Sequence, residues 1–332
     1  MTERLRHVAH YLVAIALYYS GAIALWNLVR RREAVVLGVH RVLTPEEAER
    51  SYSEPAMVIL LPTFRRMIEL LRSEFEVLTL GRFTGGARAN GKPACLLTFD
   101  DGWIDTYQNA YPVLKELALP AAVFAPTAVI DKRQCLWPER VSAIWRAAQS
   151  RNAMPEAVLS EVSNSKVTNL LDAIAVLKQV RVAERECILR QFAERCGEAK
   201  PTAVDSLMSW QQLLSMAPEI EAGSHTSNHV LLDVEDPATA RRELEESRRQ
   251  LEARTHRDVR AIAYPSGSHN PCVAELAAAA GYEWAFTTSN GRYRRGDDPL
   301  AVPRCLLQEG NITTPWGSFS PAMFHLRLAG WN

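Results

Sequence analysis

The chain has 332 residues, 47% apolar and 23% charged, which excludes a disordered or collagen-like protein and allows one large domain or two ordinary ones. Its 38 Lys and Arg balance 38 Asp and Glu, so no basic field exists to hold a polyanion, and nucleic-acid binding is not expected. The cysteines at 95, 135, 187, 196, 272 and 305 form no C-x-x-C pair, which argues for scattered buried thiols rather than a disulfide scaffold or a cysteine zinc site.

Residues 11–29, YLVAIALYYSGAIALWNLV, carry no charge. At helical rise they cover about 28 Å, close to a hydrocarbon core of about 30 Å. Arg4 and Arg6 precede the segment and Arg30, Arg31 and Arg32 follow it, so the positive-inside rule gives no orientation. Three readings are open for residues 1–33. One is a spanning or interfacial anchor at the inner membrane, with Tyr18, Tyr19 and Trp26 at the water–lipid boundary. Another is a signal peptide cleaved near Ala22-Ile23-Ala24, with export. The third is an apolar helix packed on a soluble domain. His7 and His10 flank the segment and are expected at an interface.

Residues 34–332 read as one domain. Candidate strands are Val35–His40, Ala94–Phe99, Ala121–Ala125, Glu219–Ala222, Ala261–Tyr264 and Trp284–Thr287. Between them the spacing predicts helices over Pro62–Phe75, Ile104–Leu119, Pro237–Arg254 with Asp236 as cap, and from Asn270 and Pro271 to Gly281. Gly85–Gly91 reads as a loop. Residues 135–202 break the rhythm and read as an insertion of two or three helices. Alternating strands and helices imply an α/β fold with a parallel sheet, open or closed into a barrel, whose chemistry gathers at the C-terminal strand ends.

Three clusters fall at such ends. Asp100-Asp101-Gly102 follows the strand Ala94–Phe99, and two adjacent carboxylates are costly unless a cation or proton separates their roles. The same tripeptide is also an ordinary helix-capping turn. His225 and His229, in HTSNH, could present nitrogens to one ion if the segment forms a helical turn. In Ala263-Tyr264-Pro265-Ser266-Gly267 the turn could aim the Ser266 N–H into a pocket, or be a turn and nothing more.

Taken in the order TFDDG, HTSNH and AYPSG, these clusters resemble the polysaccharide deacetylase family with the NodB homology domain, carbohydrate esterase family 4. The likeness extends through VVLGVHRV, FEVLTL, LPAAVFAPT, LMSWQQLL and RRELEESRRQLE, from about Ala34 to Leu307. The aromatic before the proline of the third cluster resembles the branch acting in exopolysaccharide synthesis and export. The resemblance implies a distorted (β/α)7-type barrel with a helical insertion and a divalent metal, zinc first, with cobalt, nickel or manganese as alternatives. It implies Asp101, His225 and His229 as metal ligands, Asp100 as catalytic base, and the Ser266 backbone N–H in the oxyanion hole. Tyr264, Pro265 and Gly267 would shape the substrate wall. Trp103, after the first cluster, would stack on a sugar ring or only line the cleft.

Two departures matter. The arginine that often opens the family's third motif is Ala263 here, and Arg304 in AVPRCLL is expected to supply that charge. The family's late Leu-x-His motif, source of the general acid, is absent. His40, His269 and a protonated Asp100 compete for that role. His256 is expected as a solvated helix cap, and Trp137, Trp210 and Trp284 as packing residues.

The implied activity is metal-dependent removal of N-acetyl groups from an N-acetylated sugar of a poly- or oligosaccharide. Deformylation or deacylation of a lipid-linked amino sugar would use the same machinery. A non-catalytic saccharide-binding module is the alternative of another class, against which the intact Asp100, Asp101, His225 and His229 argue.

Overall fold

The computed structural model describes residues 3–86, 91–132, 135–198 and 202–331, without the side chains of residues 3 and 4. The flanking Arg4 side chain, residues 87–90 of the glycine-rich loop and residues 199–201 of the insertion lie outside that description.

Among the described residues ten strands form in chain order: β1 (Val35–Val39), β2 (Arg41–Leu43), β3 (Val58–Leu60), β4 (Glu76–Val77), β5 (Ala94–Phe99), β6 (Ala121–Ala125), β7 (Ile220–Ser224), β8 (Ala261–Ala263), β9 (Trp284–Phe286) and β10 (Cys305–Leu306). The main sheet runs β10-β1-β5-β6-β7-β8-β9 with every pairing parallel, and β4 adds to the start of β5. Its ends approach each other through one stretch of chain. Val302 bridges Phe286 of β9, and three residues later Cys305 pairs with Leu37 of β1. The sheet thus curls into the distorted α/β barrel.

Alternation along the strands sorts side chains into two layers. Val36, Leu96, Ala122, Phe124, Ala261, Ala263 and Phe286 fill one apolar cluster inside the curl, closed below by Leu78, Leu80 and Phe83. Val35, Leu37, Cys95, Leu97, Phe99 and Val123 face the other way, against the helices. Those helices follow the predicted faces. Leu61–Glu74 buries Phe64, Met67, Ile68 and Leu71. Pro237–Thr255 is capped by Asp236, which accepts from the Ala238 and Thr239 N–H groups, and Asn270 caps Pro271–Ala279. The predicted helix after the Asp-Asp-Gly turn contains a π-type turn, Thr106–Ala110, before Tyr111–Glu116.

The described residues of the insertion between β6 and β7 hold four helices, not two or three: Trp137–Ser150, Pro155–Val162, Leu170–Leu177 and Val182–Cys196. They share an apolar core of their own, joined by Leu231. Trp137 and Trp210 are buried, and Trp284 is half-buried against Phe83 and Tyr293. The expectation of six buried thiols needs correction: Cys95, Cys196 and Cys305 are buried, Cys135 is intermediate, and Cys187 and Cys272 are exposed.

The apolar N-terminal segment is not one rod. Helices Glu3–Tyr19 and Ala22–Val29 meet at 69° across Ser20 and Gly21, where Gly21 takes φ 78°. No single helix among the described residues is long and apolar enough to cross a membrane. One face of the pair docks on helix Pro321–Leu328, where Ala14 and Ile23 meet Ala322, Met323 and Leu326. Tyr18 stacks on His325, and His7 Nε2 reaches the Thr313 carbonyl.

Candidate metal centre and catalytic base

The alternation that fills the barrel also aims its mouth. On β1 the parity of Val36 continues through Gly38 to His40, and on β5 that of Leu96 continues through Thr98 to Asp100. After β9, the parity of Val302 continues to Arg304. His40, Asp100 and Arg304 therefore converge at the C-terminal strand ends. Asp101 (φ 71°) and Gly102 (φ 69°) then turn the chain through two left-handed residues, so Asp101 leaves the strand pleat and faces the loop after β7.

On that loop, His225 Nε2 lies 3.2 Å and His229 Nε2 3.1 Å from Asp101 Oδ1. All three side chains are buried. The segment does not form the helical turn considered for the pair. Thr226 and His229 have φ of 64° and 55°, and Glu243 holds the loop by accepting from the Ser227 and Asn228 N–H groups at 2.9 and 2.8 Å. Nothing in the sequence around Glu243 announced this role.

The donor set fits a divalent cation. His225 Nδ1 must donate to the Ala263 carbonyl at 2.7 Å, because a carbonyl only accepts, and this leaves the Nε2 lone pair facing a carboxylate oxygen. Trp103 Nε1–H donates to Asp101 Oδ2 at 2.9 Å, leaving Oδ1 turned toward both imidazoles. An acceptor facing an acceptor at such range needs a proton or a cation between them. The ligand atoms of Asp101, His225 and His229 all lie within 4.8 Å of one another. Burial opposes the charge on Asp101, and the two histidines outweigh it, holding the carboxyl well below the ordinary range.

Asp100 is held separately. Arg304 NH1 and NH2 donate to its two carboxylate oxygens at 2.7 Å each, while Arg304 Nε donates to the Thr287 carbonyl and NH1 also reaches Thr98 Oγ1. Both partners are buried. Burial penalises the Asp100 charge, and Arg304 with His225 overcomes that penalty, so its pKa lies below the usual value. His40 Nε2 stands 3.7 Å from Asp100 Oδ2. Burial lowers the pKa of its ring against the pull of the Asp101 and Asp100 charges.

Other anticipated residues are placed differently. Trp103 is 1% exposed, and the Arg41 guanidinium sits 4.2 Å over its ring, so it offers no face to a sugar. Its task is the hydrogen bond to Asp101. Tyr264 is likewise fully buried, its hydroxyl donating to the Leu300 carbonyl and its ring stacked on His269, which corrects its expected contact with substrate. His269 Nδ1 is 3.0 Å from the Gly267 carbonyl, and no described contact joins it to Asp100 or Asp101. Ser266 has φ 55°, and its N–H has no acceptor among the described residues. The next residue must be glycine: at φ 69°, a Cβ on Gly267 would lie 2.6 Å from the Thr288 nitrogen. His256, as expected, is an exposed cap, in the left-handed conformation.

Sequence reasoning passed over a buried polar layer behind the ligands. Arg41 donates to Asp105 at 2.7 Å and to Asp205 at 3.2 Å, and its position just after His40 was the signal. Glu139, from the insertion, accepts from Ser53 Oγ at 3.0 Å, while its Oε2 has no partner among the described residues. Burial pushes its pKa up to about 8 against the attraction of Arg41. Arg185, also from the insertion, is buried over the Trp137 ring. Neither its Nε nor Trp137 Nε1 finds a partner among the described residues. The Arg185 charge acts on His229, whose Nδ1 is also unpartnered.

Comparison with known proteins agrees with this architecture. The Bacillus subtilis protein YxkH is 21% identical over 228 residues, a match covering 69% of this chain and 56% of YxkH, so the chain spans little more than half of that relative. Among solved structures, the Streptococcus pyogenes deacetylase PplD in complex with acetate superposes with TM-score 0.55 at 18% identity, covering 87% of this chain and 99% of that one. IcaB from Ammonifex degensii gives 0.54 at 19%, covering 90% and 97%, and the BpsB deacetylase domain from Bordetella bronchiseptica gives 0.55 at 19%, covering 83% and 96%. At these identities the likeness is one of fold. Residues 87–285, more than half of the chain and inclusive of all three motifs, match the family described as polysaccharide deacetylase, and the protein belongs to that family.

Proposed function

We propose that the protein is a metal-dependent hydrolase removing N-acetyl groups from an N-acetylated sugar of a cell-surface or exported polysaccharide or oligosaccharide, with zinc as the metal. The observation carrying this reading is the pairing of two carboxylates with opposite duties: Asp101 turned toward two imidazoles, and Asp100 turned toward a guanidinium.

A divalent cation held by Asp101, His225 and His229 would supply Lewis acidity toward water and the amide carbonyl. Asp100, kept ionised by Arg304, takes the proton of the attacking water at a carboxylate oxygen. The Ser266 N–H, which has no acceptor among the described residues, donates to the carbonyl oxygen as it becomes an oxyanion; one such donor is worth about 3 kcal/mol. As the C–N bond breaks, the departing nitrogen needs a proton, and His40 Nε2, next to Asp100, passes it on. The amino sugar and acetate are released.

The reading is supported by the family match and by the likeness in fold to PplD, a deacetylase solved in complex with acetate. It is tested by incubating the metal-loaded chain with N-acetylglucosamine oligomers and measuring acetate together with free amines. Stoichiometric release of both is the expected result, and formate from a formylated substrate without acetate would replace deacetylation by deformylation.

A further inference from the structure

The N-terminal helices present a second apolar face that the protein does not cover. On Glu3–Tyr19 the exposed large side chains are Leu5, Leu12, Val13 and Tyr19, with exposed Ala9 and Ala16 between them, one continuous stripe at helical spacing. Leu12 is 60% exposed and Tyr19 78%. On Ala22–Val29, beyond the 69° bend, Leu25, Leu28 and Val29 form a matching stripe. The opposite faces are already spent on helix Pro321–Leu328 through Ala14 and Ile23. Both helices are thus apolar on two sides. One side belongs to the fold, and the other faces solvent. An exposed apolar surface of this extent marks an interaction site.

We infer that this face is an in-plane membrane-docking surface whose occupant is an anionic lipid bilayer. Three observations select that occupant. Between Arg6 and Arg30 neither helix carries a charged residue, so nothing opposes insertion into the acyl boundary. Arg31 and Arg32, both exposed, follow the second stripe directly, where lipid phosphates would lie. The bend and the contacts with the C-terminal helix hold the first helix along the protein surface, so the pair lies on the bilayer and does not cross it. The exposed Trp316, edge-to-face with Tyr11, extends the surface from the C-terminal side with a residue suited to the headgroup level. This inference is independent of the proposed catalysis, because it needs neither metal nor turnover.

The test is co-sedimentation of the full chain with vesicles of phosphatidylcholine alone and of phosphatidylcholine with one quarter phosphatidylglycerol. Binding to the anionic vesicles is expected. The double substitution Leu12→Asp with Leu25→Asp should weaken it at least tenfold while leaving the melting temperature and acetate release unchanged, since both side chains are exposed. Arg31→Ala with Arg32→Ala should cost about fivefold per arginine on anionic vesicles, the equivalent of about 1 kcal/mol each, and little on neutral ones. A fluorophore attached at Leu12→Cys should be quenched by nitroxides near the headgroups more than by nitroxides at mid-bilayer. Deep quenching would overturn the in-plane geometry. Absence of vesicle binding with a dimer that the double aspartate variant dissolves would assign the surface to a second copy of the chain. A protein recovered from cells that begins after Ala24 would end the proposal.

Discussion

Arg304, directly before the edge strand β10, reaches across β1 to Asp100 at the end of β5 and takes both of its carboxylate oxygens at 2.7 Å. The two residues lie 204 positions apart, yet alternation on two strands turns both into one barrel mouth. Arg304→Met should leave a buried unpaired carboxylate, costing about 3–5 kcal/mol in urea unfolding and at least about a hundredfold in kcat. Arg304→Lys keeps the charge and loses the fork. Because the pair holds Asp100 below its ordinary pKa, the ionised base persists as pH falls through the usual carboxylate range. The lysine variant should therefore move the acid limb of the kcat profile to higher pH. An unmoved limb would remove Arg304 from the base's environment.

The division of labour between adjacent aspartates predicts opposite phenotypes. Asp100→Asn should keep a full complement of metal by elemental analysis and lose turnover. Asp101→Asn and His229→Ala should lose the metal, and with it any rise in melting temperature on zinc addition. Chelator treatment of the unmodified chain should reproduce the second phenotype, reversibly.

Glu139 supplies a stability prediction. Its folded pKa of about 8 lies above its unfolded value near 4.5, so the folded state binds the extra proton between them. Stability from this group is fully present below the lower value and is lost as pH rises through the upper one, at about 1.4 kcal/mol per unit. Glu139→Gln should match the parent chain near pH 4.5 and unfold at higher urea near pH 8.

Arg185 is a buried cation that stacks over the Trp137 ring and feels Glu186 and Glu235, but it makes no ion pair within 4.0 Å among the described residues, so its burial is compensated only in part. Arg185→Met should leave the melting temperature equal or higher. Thermal unfolding of the two chains checks this, and a fall of several degrees would show that the stacked guanidinium stabilises the insertion.

Gly38 leaves room for the seam of the barrel. A Cβ there would stand 2.4 Å from Leu306 Cδ2 and 3.7 Å from the Arg304 guanidinium. Gly38→Ala should cost about 1–3 kcal/mol of stability and reduce kcat while metal content stays normal, because the strand it displaces carries Arg304 and none of the ligands.

The strand–helix rhythm and the three strand-end clusters were legible because period-two runs and turn residues are local signals. Arg304 could be named from a missing charge at Ala263, although its two-pronged geometry depends on a strand register no local pattern encodes. The same limit hid the short strands β2, β3, β4 and β10. It also left Trp103 open between sugar stacking and the cleft wall, and misplaced Tyr264. An aromatic beside a motif looks identical whether it meets a sugar or, as here, a guanidinium and an imidazole. His40 and His269 were equivalent candidates in the sequence. Only the pairing of β1 with β5, Val39 against Phe99, sets the first against Asp100, while the second is stacked on Tyr264. The bend at Gly21 was invisible because hydropathy is blind to a change of direction.

Placing the base's counter-charge on the closing strand has a consequence for maturation. A growing polypeptide that has already delivered Asp100, both histidines and Ser266 still lacks residue 304. On the proposed mechanism, an intermediate with that last edge unsealed would hold the ion's ligands without the ionised base, so completion of the barrel would gate hydrolysis.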